Sequence, residues 1–128
     1  MASPATEHPS PGDPPPIQVE RQDDVVIVRV NLKTLDDQSA KRLQEDTATA
    51  AKQNSSLPVV IDLSPVKLLP SITLGTLVRM HNEFKSRQQP LLLAGLTPAV
   101  RGVMTITRLD RLFEIHDDLA AALKSVRP

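Results

Sequence analysis

Residues 57–79 read LPVVIDLSPVKLLPSITLGTLVR, and this stretch decides the fold of the chain. Residues 59–63 would be apolar on both faces of a strand except at Asp62, which is typical of a central strand in a parallel sheet. A short turn follows, and Ser71 then opens a segment with apolar residues at helical spacing. The stretch predicts a strand, a turn and an amphipathic helix, with a serine hydroxyl at the helix N-terminus.

The same reading of periodicity extends to both sides and predicts the order β-β-α-β-α-β-α-β-α. Strands that alternate with single helices pair in parallel through right-handed crossovers. The sequence therefore predicts one α/β domain with a four- to five-stranded, mostly parallel sheet and about four helices. The strands are expected at residues 17–21, 25–30, 59–63, 91–94 and 112–115, and the helices over 36–54 and from Ser71, Thr97-Pro98 and Asp117-Asp118.

Composition narrows the classes of function. Fifteen basic residues balance 15 acidic ones, so no net charge attracts nucleic acid or an anionic membrane. The chain has no Trp or Tyr, and its two aromatic residues, Phe84 and Phe113, provide few platforms for base stacking. The absence of cysteine excludes disulfides and thiolate metal sites, and three histidines make another metal site improbable. We expect no metal, no cofactor and no nucleic-acid partner.

The N-terminal segment differs from the rest of the chain. Residues 1–16, MASPATEHPSPGDPPP, hold six of the 12 prolines and lack the basic start and apolar core of a signal peptide. Such a segment buries too little apolar surface to offset the entropy of ordering, so we expect a disordered leader over 1–16 and one domain over 17–128. No apolar run reaches the roughly 20 residues of a membrane span. The sequence thus predicts a soluble, cytoplasmic protein.

Enzyme motifs are missing, although the residue types of a hydrolase triad are present. Asp62, Ser71 and His81 supply those types, but no G-x-S-x-G motif surrounds the serine. His81 follows on the apolar stripe of the same helix, roughly 15 Å further along its axis. A packed, hydrogen-bonded core histidine is the better account. The chain also lacks phosphate-loop and dinucleotide motifs, and we predict that it is not an enzyme.

Ser71 lies where partners of an α/β protein are expected to bind. In open α/β sheets, binding takes place at the carboxyl ends of the strands. Here those ends are residues 31–35, 64–71 and 95–97 and the approach to His116. A serine at a helix start commonly serves as an N-cap. A phosphate there is also favourable, because the helix dipole stabilises its charge of about −1.5 to −2. From the residues alone, both interpretations stay open.

The stretch at 57–79, together with PLLLAGLTPAVRGVMTITRLDRLFEIHDD at 90–118, resembles the STAS domain of bacterial anti-sigma factor antagonists. That family typically reads D-L-S-G-V and then Asp-Ser-(Ser/Thr)-Gly-Leu at the helix start, and the first serine or threonine of the second motif is phosphorylated. Three positions depart from the pattern: Pro70 replaces the acidic residue, Ile72 the second hydroxyl residue and Thr73 the glycine. The matching residues are Asp62, Leu63, Ser64, Val66, Ser71, Leu74 and Leu77.

The resemblance implies a phosphorylation switch. The unphosphorylated domain would bind an anti-sigma factor that is also a serine kinase, phosphorylation of Ser71 would break the complex, and a phosphatase would restore it. Two alternatives remain open: a STAS scaffold that does not switch, within a signalling complex, and a small-ligand or nucleotide sensor using the same edge. The resemblance implies a docking edge made of Asn31, Lys33, Pro70, Ser71, Ile72, Thr73, Gly95 and Thr97.

Overall fold

The computed structural model describes residues 14–126, so the predicted leader lies outside the described residues except at positions 14–16. The elements follow in the predicted order. They are β1 (Ile17–Gln22), β2 (Val25–Val30), α1 (Asp37–Gln53), β3 (Val59–Asp62), α2 (Ser71–Ser86), β4 (Leu91–Ala94), α3 (Pro98–Ile106), a 3₁₀ turn (Leu109–Arg111), β5 (Glu114–His116) and α4 (Leu119–Val126).

The strands form a five-stranded sheet in the order β1-β2-β3-β4-β5. β1 pairs antiparallel with β2 through a tight turn, and every other neighbouring pair is parallel. The predicted α/β class and the mostly parallel sheet are confirmed. Since β2 to β5 run in the same direction, their carboxyl ends lie at one edge, and the loops that follow them form a common surface there.

Both faces of the sheet are covered by helices. Because successive strand residues point to opposite faces, β3 and β4 each contribute to two apolar clusters. Ile61 and Leu93 pack into the cluster formed with α1, α2 and α3. Val60 and Leu92 pack on the other face against Ala122 of α4. All four strand residues are almost completely buried, which explains why the central strands are apolar at consecutive positions.

Three of the helices have a side-chain N-cap close to the predicted helix start. The Asp36 carboxylate accepts a hydrogen bond from the Ser39 backbone N–H at 2.8 Å, and this bond lowers the pKa of Asp36 below its ordinary value of 3.8. The Thr97 hydroxyl accepts from the N–H of Val100 at 3.4 Å, with Pro98 as the first helical residue. Asp118 accepts from the N–H of Ala121 at 2.8 Å, at the start of α4.

The strand predicted at 112–115 is wrong at its start, because β5 begins at Glu114. The preceding residues close the 3₁₀ turn instead. The backbone N–H of Leu112 donates to the carbonyl of Leu109 at 3.0 Å, and that of Phe113 donates to the same oxygen at 3.2 Å. Arg108 enters this turn in the left-handed conformation, with φ of 63°.

Among residues 14–126, every helix falls short of the length and apolar character that a membrane-crossing helix needs.

Candidate functional site

Backbone hydrogen bonds join the loops at the carboxyl edge of the sheet. The N–H of Lys67 donates to the carbonyl of Lys33 at 2.7 Å, and the N–H of Leu35 donates to the carbonyl of Leu68 at 3.2 Å. Thr34 and Leu68 form a short parallel bridge between the same segments. The loops after β2 and β3 therefore form one continuous rim that leads into the first turn of α2.

The loop after β4 is tied to this rim by Thr97. Its hydroxyl donates to the carbonyl of Val66 at 2.9 Å, in addition to capping α3. The backbone N–H of Leu63 donates to the carbonyl of Ala94 at 2.9 Å, one residue beyond β3. The three loops thus hold one another in place, and the start of α2 is presented by a fixed backbone.

Ser71 is the first residue of α2 and is exposed. The N-cap position belongs to Pro70, whose side chain has no acceptor, and no side-chain bond caps this helix. The interpretation of Ser71 as a helix cap is therefore wrong. Its hydroxyl has no hydrogen-bond partner among the described residues, and it lies beside backbone N–H groups that have no acceptor within the helix.

Thr73, the third residue of α2, has the opposite environment. Its side chain is fully buried, and its hydroxyl donates to the carbonyl of Leu35 at 2.7 Å. This bond accounts for a threonine at a position where the resemblance led us to expect glycine. The side chain links α2 to the loop after β2 and supports the edge from below, so it is unavailable to a docking partner.

Asp62 organises the turn after β3. Its carboxylate accepts a hydrogen bond from the backbone N–H of Ser64 at 3.0 Å and another from the Ser64 hydroxyl. The guanidinium of Arg29 in β2 lies 3.5 Å from the same carboxylate. Gly95 packs against this group with φ of +73°, and a Cβ there would overlap the Ser64 hydroxyl and lie 3.1 Å from Asp62 Oδ1. Asp62 and Gly95 therefore shape the loops.

Leu68 was not identified from the sequence, yet 58% of its surface is exposed, and Ile72 is 63% exposed. Leu68 lies in the segment VKLLP at 66–70, where no local pattern distinguishes an exposed leucine from a buried one. The bridge to Thr34 turns its side chain outward and leaves the neighbouring Leu69 buried. The pairing that exposes Leu68 is formed with a segment more than 30 residues away, so no local signal reveals it.

The described histidines do not form a hydrolase triad. His81 is half-buried and packs edge-on against Phe113, with ring centroids 5.3 Å apart. It has no hydrogen-bond partner within residues 14–126, so the predicted hydrogen bond is wrong although the packing is confirmed. His116 contacts Glu114 at 2.7 Å and Ser125 at 3.3 Å through the same nitrogen, Nε2. A catalytic triad uses the two opposite ring nitrogens, and this group does not.

A pocket of about 260 Å³ opens between the C-terminal half of α2 and the amino ends of β4 and β5. The pocket therefore lies at the opposite end of the strands from Ser71. The ligand site of the sensor interpretation is predicted at the Ser71 end. Its lining includes Phe84, Lys85, Leu91, Leu112 and Glu114. Within the part of the chain that the structure describes, no group of three or more His, Cys, Asp or Glu side chains could hold a metal ion.

The family model of the STAS domain matches residues 16–122, from the start of β1 into α4. The chain belongs to the STAS domain family. A relative from Thermotoga maritima, named as a candidate anti-sigma factor antagonist, is 28% identical over 105 residues. The matched region spans 82% of this chain and 92% of the relative.

Solved structures share the fold of this STAS domain. An anti-sigma factor antagonist from Mycobacterium paratuberculosis has a TM-score of 0.75 and 29% identity, over 88% of this chain and 93% of that one. The Bacillus cell fate determinant SpoIIAA, in its phosphorylated form, has a TM-score of 0.66 and 18% identity, over 87% of this chain and 99% of that one. The predicted STAS fold of the anti-sigma factor antagonist type is confirmed.

The residues predicted for the docking edge of this STAS domain divide into two groups. Some have side chains or backbones that hold the loops together. Asn31 belongs to this group, since its side-chain amide donates to the carbonyl of Pro15 at 2.9 Å and to Gln18 at 3.3 Å. The structural group comprises Asn31, Thr73, Gly95 and Thr97, and the group at the surface comprises Lys33, Pro70, Ser71 and Ile72, of which Pro70 is half-buried.

Proposed function

We propose that this protein is an anti-sigma factor antagonist that binds an anti-sigma factor through the edge around Ser71, and that phosphorylation of Ser71 breaks the complex. The observation that carries the proposal is the exposed Ser71 hydroxyl, which lacks a partner within the described chain at the first position of α2. A hydroxyl that caps nothing is free for modification at no cost to the helix. The names of the relatives, and the phosphorylated form in which SpoIIAA was solved, support the same function.

The chemistry at Ser71 suits such a switch. A phosphate would add about −1.5 to −2 charges beside the positive end of the α2 dipole, which stabilises anions. The modified domain would keep its fold, because the side chain of Ser71 is exposed and does not pack in the core. A partner that covers the edge would have to accommodate both the volume and the charge of the phosphate. The modification therefore weakens the complex far more than it changes the domain.

The remaining parts of the cycle belong to other proteins. We propose that the anti-sigma factor is itself the serine kinase and that a phosphatase regenerates the free hydroxyl. The STAS domain then contributes a binding surface and performs no catalysis itself. Since the kinase consumes ATP, we place the cycle in the cytoplasm. We also propose one domain over 17–128, to which Pro15 and Pro16, at the end of the predicted leader, are tied by hydrogen bonds from Asn31.

A second candidate function is a scaffold that does not switch. Pro70 favours it, because a kinase that reads the acidic residue of the family pattern finds no carboxylate before the serine. A scaffold would hold its partner with the same affinity whatever the state of Ser71. The third interpretation, a small-ligand or nucleotide sensor, stays a prediction, and the pocket of about 260 Å³ lies at the opposite end of the strands.

Phosphosite mapping tests the proposed function. The protein is incubated with ATP and each serine-kinase anti-sigma factor of its own genome, and peptides are analysed by mass spectrometry. We expect one phosphate on Ser71 and none on the Ser71→Ala variant. A kinase that binds the protein but leaves Ser71 unmodified, together with a Ser71→Asp variant that binds as wild type does, would favour the scaffold.

A further inference from the structure

We propose that Leu68 and Ile72 form an apolar anchor pair, flanked by Lys33 and Lys67, that fits a protein surface consisting of an apolar groove with carboxylates along its rim. The inference rests on the proposed function, because it describes the chemistry of the surface that the anti-sigma factor presents to this edge. It also identifies which residues of the edge supply affinity and which supply charge.

Leu68 and Ile72 both present apolar side chains to solvent. Leu68 is 58% exposed and Ile72 is 63% exposed, although both have buried apolar neighbours, Leu69 and Leu74. Single exposed apolar residues are common on protein surfaces. Here, however, two of them are four positions apart, on either side of Pro70, and both belong to the edge that carries Ser71. Burying apolar side chains of this size against a partner favours binding.

The backbone that carries these side chains is already fixed. Leu68 is held in the bridge with Thr34, and its carbonyl accepts a hydrogen bond from the N–H of Leu35. Ile72 belongs to the first turn of α2, where the N–H of Thr73 donates to the carbonyl of Pro70 at 2.9 Å. Binding therefore has little backbone to order, and more of the apolar burial is available as affinity.

Two lysines, Lys33 and Lys67, lie on the rim beside the pair. The backbones of Lys33 and Lys67 are joined by a hydrogen bond of 2.7 Å, so the two ammonium groups extend from adjacent points of the rim. Neither forms an ion pair with any residue between positions 14 and 126, and both are exposed. Asp36, the acidic residue of the same loop, directs its carboxylate to the N-terminus of α1, which it caps. Carboxylates on a partner would complement this rim and speed association.

A protein is the favoured occupant over an anionic membrane. The chain has no net charge, with 15 basic and 15 acidic residues, so it lacks the long-range attraction on which membrane binding by a few lysines depends. The two apolar side chains project from a backbone that is fixed by hydrogen bonds. Such an arrangement suits a groove of defined shape on a protein better than a fluid membrane surface. Sedimentation with vesicles that contain phosphatidylserine gives the membrane its own test, and binding to them that Leu68→Ser abolishes would overturn the assignment to a protein.

The experiment measures affinity for the anti-sigma factor that wild-type protein binds, by calorimetry. We expect Leu68→Ser and Ile72→Ser each to raise Kd by at least about tenfold. The matched control is Ile106→Ser, because Ile106 is 84% exposed at the far end of α3, and its Kd should stay within about twofold of wild type. All three replace exposed side chains, so the folded state and its melting temperature should be retained.

A second pair of variants tests the charged rim. Lys67→Glu should raise Kd by about fivefold or more at low salt, and the loss should shrink as salt is added, since the interaction is screened. Lys124→Glu, on α4, is the charge-matched control and should leave Kd and its salt dependence unchanged.

The outcomes separate this inference from the function on which it rests. If wild-type protein binds no anti-sigma factor, the proposed function fails and the inference fails with it. If wild type binds but Leu68→Ser and Ile72→Ser bind within about twofold of it, the anchor pair is overturned and the function stands. If Lys67→Glu binds as wild type does at every salt concentration, the acidic rim is overturned.

Discussion

The hydroxyl of Thr73 donates a hydrogen bond to the carbonyl of Leu35 at 2.7 Å, and both residues are fully buried. This bond connects the first turn of α2 to the loop after β2, which are 38 residues apart in the chain. Ser71 and Ile72 precede Thr73 in the same turn. The geometry of the proposed docking edge therefore depends on a buried contact directly beneath it.

Thr73→Val tests the importance of that contact for stability. Valine keeps the shape but leaves the Leu35 carbonyl buried without a donor, so we expect the free energy of unfolding to fall by about 1–3 kcal/mol. Thr105→Val is the control, because the Thr105 hydroxyl bonds to the carbonyl of Arg101 on an exposed face of α3. Urea denaturation measures both. Equal stability of Thr73→Val and wild type would show that the bond does not hold the edge together.

Gly95→Ala should destabilise the fold. The residue has φ of +73°, and a methyl group would overlap the Ser64 hydroxyl where it meets Asp62. We expect a loss of about 1–3 kcal/mol from strain and displacement of that turn. Gly102→Ala is the matched control, since nothing lies within 4 Å of a Cβ there and Gly102 is inside α3. It should raise stability by about 0.5–1 kcal/mol. Thermal melting that shows similar changes for both variants would contradict the account.

Acid pH should reveal the Asp36 cap. The hydrogen bond from the Ser39 N–H lowers the pKa of Asp36 below 3.8, so the folded protein holds this proton more weakly than the unfolded chain does. The stabilisation is therefore present above pH 3.8 and is lost as pH falls through the lower pKa of the folded state. Because Asp36 is exposed, we expect the effect to be only a fraction of about 1 kcal/mol.

Asp36→Asn separates this effect from general acid denaturation, because asparagine also caps helices but does not titrate. The free energy of unfolding of wild type, relative to that of Asp36→Asn, should be lower at pH 3 than at pH 5, which lie roughly one unit either side of the ordinary pKa. Urea denaturation at each pH measures this difference. A difference that is constant with pH would show that the carboxylate charge contributes nothing to the cap.

The order of elements could be predicted from the sequence because its signals are local. The apolar run before Asp62 and the helical spacing after Ser71 each lie within one element, and the side-chain caps at Asp36 and Thr97 are short-range as well. The beginning of β5 was missed because a left-handed Arg108 sets the preceding turn, and an arginine gives no sign of that conformation.

The exposure of side chains at this edge was harder to predict than the position of Ser71 in the fold. Helix periodicity and the strand-end rule both place Ser71 at a helix start beside the strand ends, and it is the first residue of α2. The exposure of Leu68 and the burial of Thr73 were missed, since each depends on the loop after β2, more than 30 residues earlier. Contacts between loops decide which side chains of this edge are exposed, and such contacts leave no periodic pattern in the sequence.

The central claim, that phosphorylation of Ser71 controls docking, is tested most directly by one calorimetric comparison. The anti-sigma factor is titrated with unmodified protein and with protein phosphorylated on Ser71, and kinase-treated Ser71→Ala serves as the control. We predict that phosphorylation raises Kd by at least about tenfold, equivalent to about 1.4 kcal/mol, while the control binds as unmodified protein does. The same Kd for the phosphorylated and unmodified proteins would contradict the claim.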